Sequence, residues 1–280
     1  MTTRTVGLTG ITRSIAAPGT TRLALGISYR GTAYQGWQSQ TSGRTVQDRV
    51  ERALSTFVAA PIQVVCAGRT DAGVHAFNQV IHLDSPVVRE PFSWLRGVNR
   101  YLPSDIAVQW CRAVPPDFHA RYLAQGRRYR YLLLASPVRP ALEAGSSGWV
   151  FRPMVGESMR EAAALLVGEH DFSSFRSSEC QARSPVKTLR SITLSQHGDY
   201  WRIDFDGSAF LHHMVRNIMG CLVAVGGGRY PPSWMSEVLA ARDRAAAAPT
   251  FSPDGLYFVG PYYDPKLALP EHTPVMGWLP

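Results

Sequence analysis

One carboxylate stands at the tip of a compact polar turn: Asp71 in Gly68-Arg-Thr-Asp-Ala-Gly73, between two β-rich runs. Such a group can attack an electrophilic carbon, or stabilise a cationic one, provided that it stays ionised where water is excluded. Arg69 lies two residues before it, and Gly68 and Gly73 let the backbone bend and come close to a ligand. By itself an Asp-Ala-Gly turn is equally what a plain turn former looks like, its carboxylate capping nearby N–H groups. Two further segments bear on that choice. Arg216, in Phe210-Leu-His-His-Met-Val-Arg-Asn217, precedes a run that is apolar through Ile218, Met219, Leu222, Val223 and Val225. A guanidinium buried there needs an anion, either a structural Asp or the carboxylate of Asp71 across a cleft. His119 to Tyr131 interleaves Arg121, Arg127, Arg128 and Arg130 with Tyr122, Tyr129 and Tyr131. On a strand Tyr129 and Tyr131 share one face, and Arg128 and Arg130 the other. That is either a strand with aromatics inward and solvated arginines outward, or one face of an RNA site, where guanidiniums bind phosphates and rings stack on bases.

Other chemistries find less support. Phe210 to Val225 reads as one long helix, on which the adjacent His212 and His213 would point about 100° apart. No acidic third ligand is spaced to help, so no metal site is expected. Gly226-Gly-Gly-Arg229 follows a helix and lacks a Lys-Ser/Thr, which fits a helix terminator better than a phosphate loop. No Ser-His-Asp order, paired catalytic carboxylates or dinucleotide fingerprint stands out.

The chain has 280 residues, 45% of them hydrophobic, enough for one large domain or two ordinary ones. A formal net charge of +8 and a pI near 9.6 favour a polyanionic partner, most commonly nucleic acid. No apolar run is long enough for a membrane helix. Cys66, Cys111, Cys180 and Cys221 are scattered without a CxxC, which suggests a reducing cytosol and a cytoplasmic protein with no disulfide framework. No acidic residue precedes Asp48, and the leader up to about residue 20 reads as a short disordered segment, Gly and Pro interrupting any amphipathic helix of a transit peptide.

Apolar residues at period two (Leu23, Leu25, Ile27, Tyr29) predict a half-buried strand. Thr45 followed by Asp48 is a capping-box signature, opening a helix with Val46, Val50, Ala53, Leu54, Phe57 and Val58 on one face. Two strands around the Asp71 turn, a helix from Pro91 to Tyr101 and a strand from Ile106 to Val114 complete a β-α-β-β-α-β order, the split βαβ or ferredoxin-like pattern. An approximate repeat follows: a strand over Gly126 to Leu134, a helix over Glu157 to Val167, a hairpin over Thr188 to Phe205, the Phe210 helix, a helix near Pro231 and a closing strand from Leu256. The expected fold is α+β, two tandem ferredoxin-like lobes sharing a central, mostly antiparallel sheet. Residues 1–20 form the leader, 21–116 the first lobe, 117–265 the second and 266–280 a tail.

Together these segments resemble the tRNA pseudouridine synthase A family over nearly the whole chain. The resemblance rests on Tyr34-Gln-Gly-Trp37 with Val46-Gln47, Ala67-Gly-Arg-Thr-Asp-Ala-Gly-Val-His75, Phe118-His-Ala-Arg121 and Arg127-Arg-Tyr-Arg-Tyr131. Asp171-Phe-Ser-Ser-Phe175, Phe210 to Asn217 and Gly255-Leu-Tyr257 complete it. It implies the pseudouridine synthase fold, a homodimer, a basic cleft gripping a tRNA anticodon stem-loop, uridine targets at nucleotides 38, 39 and 40, and no cofactor or metal. Carried over by position, Asp71 is implied to be the catalytic nucleophile, Arg69 and Arg216 to lie near it, and Tyr129 to contact the target uridine. A non-catalytic RNA-binding protein with the same fold is the alternative, and the intact set of Asp71, both arginines and Tyr129 argues against it.

Overall fold

The computed structural model describes residues 15–271. Its first half runs β1 (Thr21–Tyr29), α1 (Val46–Val58), β2 (Val65–Cys66), β3 (His75–Ser85), α2 (Pro91–Asn99) and β4 (Ile106–Ala113). The second half runs β5 (Gly126–Ala135), β6 (Gly148–Val150), α3 (Gly156–Ala164), β7 (Gly168–Asp171), β8 (Val186–His197), β9 (Tyr200–Gly207), α4 (Met214–Gly226), α5 (Trp234–Ala241) and β10 (Leu256–Tyr262).

Local chemistry sets several of these boundaries. Thr45 is extended and accepts from the Asp48 N–H, while the Asp48 carboxylate accepts from the Thr45 N–H, so the expected capping box opens α1. Ala59 ends that helix in the left-handed conformation. Pro91 occupies the first turn of α2, where its missing N–H costs nothing.

The strands form one sheet in the order β4-β1-β3-β10-β5-β9-β8-β7, with β2 added to β3 and β6 to β5. Its pairings are antiparallel except β10 with β3 and β6 with β5. The α+β architecture with a mostly antiparallel sheet is the one expected. The closing strand β10, however, lies at the middle of the sheet, meeting β3 through Tyr257 opposite His75 and Phe258 opposite Ala76. Two large apolar cores result, with a smaller third around Val80, Trp110 and Phe118. One gathers Leu25, Ile27, Val50, Leu54, Ile81 and Trp94 with Phe258, and the other Leu133, Met159, Trp201, Phe205, Ile218 and Met235. Tyr129 packs against both.

The largest departure concerns the Phe210 segment. Its helix begins only at Met214, and His213 before it has φ +62. Phe210 to His213 therefore belong to a loop, and the helical geometry assumed for the histidine pair does not hold. Helix ends fall short of expectation by two or three residues, at Asn99 rather than Tyr101 and at Ala164 rather than Val167. The run from Pro61 to Ala67 pairs only at Val65 and Cys66. Residues 1–14 of the expected leader and 272–280 of the expected tail lie outside the described residues. Ala16 already ties back to the boundary between the halves, its N–H donating to Pro116 O at 2.9 Å.

Candidate active site

The loop between β2 and β3 is held by backbone contacts on several sides. Thr70 O accepts from Trp37 N–H at 3.0 Å, Asp71 O from Val74 N–H at 3.2 Å, and Tyr34 O from Gly73 N–H at 3.4 Å. The buried Tyr29 hydroxyl meets Thr70 Oγ1 at 2.7 Å. Gln79, fully buried on β3, brackets Gly68 by accepting from its N–H and donating to its carbonyl. Gly36 lies beneath the loop at φ +83, where a Cβ would stand 2.7 Å from Thr70 O. Only glycine meets both demands at that position.

This scaffold turns the Asp71 carboxylate towards the second half of the chain. Arg216 Nη1 donates to its Oδ2 at 3.2 Å. His213 Nε2 lies 3.5 Å from the same oxygen and His212 Nε2 3.4 Å from Oδ1. The Asp71 side chain is 19% exposed and that of Arg216 15%. Arg216 is aimed by the backbone: its Nε donates to Phe251 O at 2.9 Å, and Phe251 N–H donates to Arg216 O at 3.1 Å. Of the two anions the sequence left open for this guanidinium, Asp71 is the partner.

Burial pushes the Asp71 carboxyl upward, and the His212 hydrogen bond with the charges of His213, His212 and Arg216 outweighs it, so the group is held below the usual carboxylate range. His212 moves the other way, raised by its bond to Asp71, while burial lowers His213. The ligand atoms of Asp71, His212 and His213 all lie within 4.8 Å of one another. A carboxylate thus does stand beside the histidine pair, contrary to the sequence expectation. The fixed charge of Arg216 stands beside Oδ2 as well, so the carboxylate is paired with a guanidinium and flanked by two imidazoles, of which His212 is the one whose cationic form Asp71 favours.

Tyr129, on β5, is half-buried between Phe210 and Phe258, each ring centroid 5.0 Å away. Burial and the nearby Asp71 charge keep its hydroxyl protonated. Arg69 is exposed at the rim and touches not Asp71 but Gln181 Oε1, 3.4 Å away in the loop before β8. The structure therefore brings Asp71 and Arg216 into contact with Tyr129 close by, and ties Arg69 instead to the loop before β8.

The arginine-rich strand divides. Arg127 points inward and donates to Ala124 O, Ser208 O, Ala67 O and Arg121 O, so four carbonyls hold it as a clamp at the root of the Asp71 loop. Arg130 Nε pairs with Asp204 at 2.7 Å, which also takes Arg202. Arg128 lies over the Tyr262 ring. Sequence reasoning missed His212 and His213 as partners of Asp71, because it placed them on a helix. The signal was an His-His pair just ahead of a buried Arg.

Residues 26–123 and 162–264 match the tRNA pseudouridine synthase family. Curated relatives called tRNA pseudouridine synthase A match throughout. The protein of Methylibium petroleiphilum is 69% identical over 259 residues, that of Polaromonas naphthalenivorans 62% over 263, and that of Paracidovorax citrulli 59% over 277. Each alignment spans 92% of this chain and 100% of the relative. On the family match and these relatives together, the chain belongs to the tRNA pseudouridine synthase family, whose members are RNA uridine isomerases.

Proposed function

We propose that this enzyme converts uridines at nucleotides 38, 39 and 40 of the tRNA anticodon stem-loop to pseudouridine, with Asp71 as nucleophile and without a cofactor. The observation that carries the reading is the Asp71 cluster, a largely buried carboxylate kept ionised by Arg216 and His212. The reaction breaks the bond from uracil N1 to C1′ and forms one from C5 to C1′. Product and substrate are isomers, so the chemistry balances with no redox partner or energy source.

An ionised Asp71 can attack C1′ as the base departs, or stabilise the oxocarbenium-like or glycal species while the uracil turns. The proton finally lost from C5 reappears on N1. A target base inside a stem-loop must first leave its stack, at a cost of a few kcal/mol. Tyr129, packed between two aromatic rings, is the residue proposed to meet the flipped uracil, and the exposed Arg69, held at Gln181, is the one proposed to follow the RNA. A basic chain of charge +8 suits the polyanionic substrate. A homodimer whose two copies jointly grip one tRNA in the cytoplasm belongs to the same proposal. Among the described residues no helix is long and apolar enough to cross a membrane.

The test is Asp71→Asn, which keeps the shape and removes the charge. Tritium release from 5-tritiated uridine in tRNA is expected to vanish while tRNA affinity stays within threefold. Residual turnover within tenfold of the parent enzyme would overturn the nucleophile assignment.

A further inference from the structure

Next to the carboxylate cluster lies a cavity of about 480 Å3. Ser173, Arg176, Ser177, Ser178 and Arg244 wall it, and His213 belongs both to this wall and to the Asp71 cluster. No carboxylate and no hydrophobic side chain lines it. The segment from Ser173 to Ser178 continues the Asp171-Phe-Ser-Ser-Phe175 motif, whose chemistry the sequence left unassigned.

The two guanidiniums are held by neutral partners. Arg176 Nη2 donates to Cys180 O at 2.6 Å and Ala182 O at 2.9 Å. Arg244 Nη2 donates to Asn217 Oδ1 at 3.2 Å and Thr250 Oγ1 at 3.1 Å, and its Nη1 to Ala247 O at 3.3 Å. These bonds fix both side chains in place without neutralising either charge. Each guanidinium has five N–H donors, so some remain for a ligand. Two positioned guanidiniums with hydroxyls beside them match the oxygen-rich, charged surface of a phosphate.

We infer that this cavity binds a backbone phosphodiester of the RNA strand next to the target nucleotide. The inference rests on the proposed reading of the chain as acting on tRNA. Its location supports the assignment: His213 lines the cavity and its Nε2 lies 3.5 Å from Asp71 Oδ2, which sets the cavity beside the carboxylate where the nucleotide next to the target would pass. Its volume exceeds a bare phosphate and leaves space for the attached ribose. The site gives the enzyme a second grip on the strand, which fixes the register of the flipped nucleotide independently of the base.

The experiment uses the full chain and synthetic anticodon stem-loops, each carrying one neutral methylphosphonate linkage. The parent protein is expected to lose about tenfold in affinity at one linkage flanking the target uridine, equal to about 1.4 kcal/mol, and little elsewhere. Ser178→Asp puts a carboxylate at an exposed position of the wall, and thermal unfolding verifies that it folds. This variant is expected to bind the unmodified RNA at least tenfold more weakly and to show no further penalty at that linkage, whereas Ser178→Ala retains the penalty. If Ser178→Asp keeps the same linkage profile as the parent, the inference is overturned. It is overturned equally if calorimetry shows inorganic phosphate or uridine monophosphate binding lost in Ser178→Asp while RNA binding is unchanged, which would mark a free-anion site. Failure of the parent protein to bind any stem-loop would instead bring down the functional reading itself.

Discussion

Gly36 sits under the Asp71 loop without touching the carboxylate, so replacing it separates positioning from the chemistry proposed for Asp71. Gly36→Ala asks an L-residue to hold φ +83 and sets its Cβ 2.7 Å from the Thr70 carbonyl, well inside ordinary contact. The left-handed backbone costs about 1–2 kcal/mol, a loss of about 2–8 °C in Tm for a chain of this size. Relief of the clash moves the Thr70 carbonyl by several tenths of an ångström, and Asp71 is the next residue. If Asp71 acts as proposed, displacements of that order in a positioned reacting group cost about 10–100-fold in rate. Gly228→Ala supplies the control, since its φ is +75 but nothing lies within 4 Å of the added Cβ. It should lose comparable stability and keep kcat. Single-turnover tritium release and thermal unfolding on both variants decide the matter. If Gly36→Ala unfolds earlier but turns over within threefold of the parent enzyme, the contact beneath Thr70 does not position Asp71.

Three more outcomes follow from the site. Arg127→Gln removes a donor from four carbonyls and is expected to cost about 3 kcal/mol of stability. Its slope of log K against log salt should stay unchanged, and a slope reduced by about one with little stability lost would make it a phosphate contact after all. Arg216→Gln removes one of the charges that hold the Asp71 carboxyl low, so the acidic limb of the pH profile for kcat/KM should move to higher pH. A lowered rate with an unmoved limb would mean that Arg216 acts on the RNA instead. His212 has its folded value raised above 6.5 by Asp71, so the bond stabilises the fold below that pH and its contribution fades as pH rises through the raised value. Urea unfolding of His212→Gln should therefore show a stability gap near pH 6 that closes by pH 9, and a gap constant across that range would contradict the assignment.

What could be read from the sequence follows the range of the interactions. The capping box of Thr45 and Asp48 spans three residues and needs no tertiary knowledge. The partner of Arg216 was legible for another reason: a guanidinium on an apolar helix has to find an anion, and Asp71 was a candidate whatever the path between them. The start of α4 was not legible, because Phe210-Leu-His-His-Met continues the apolar run, and the turn at His213 goes with its contact to a carboxylate far away in sequence. β6, at three residues, is too short for any periodicity to register. The inward Arg127 could have been found, since strand alternation sets it on the face of Tyr129 and Tyr131 rather than that of Arg128 and Arg130.

The place of β10 has a bearing on how the enzyme comes into being. Among the described residues β3 and β5 do not pair with each other, and the sheet passes from one half to the other only through residues 256–262. While a nascent chain lacks that segment, each half can collapse around its own helices, but no strand ladder joins them. Asp71 then remains on one side, with Arg216 and His212 on the other. β10, the last strand among the described residues, is the keystone that brings Asp71 face to face with Arg216 and His212, so assembly of the carboxylate site waits on residues far along the chain from the Asp71 loop.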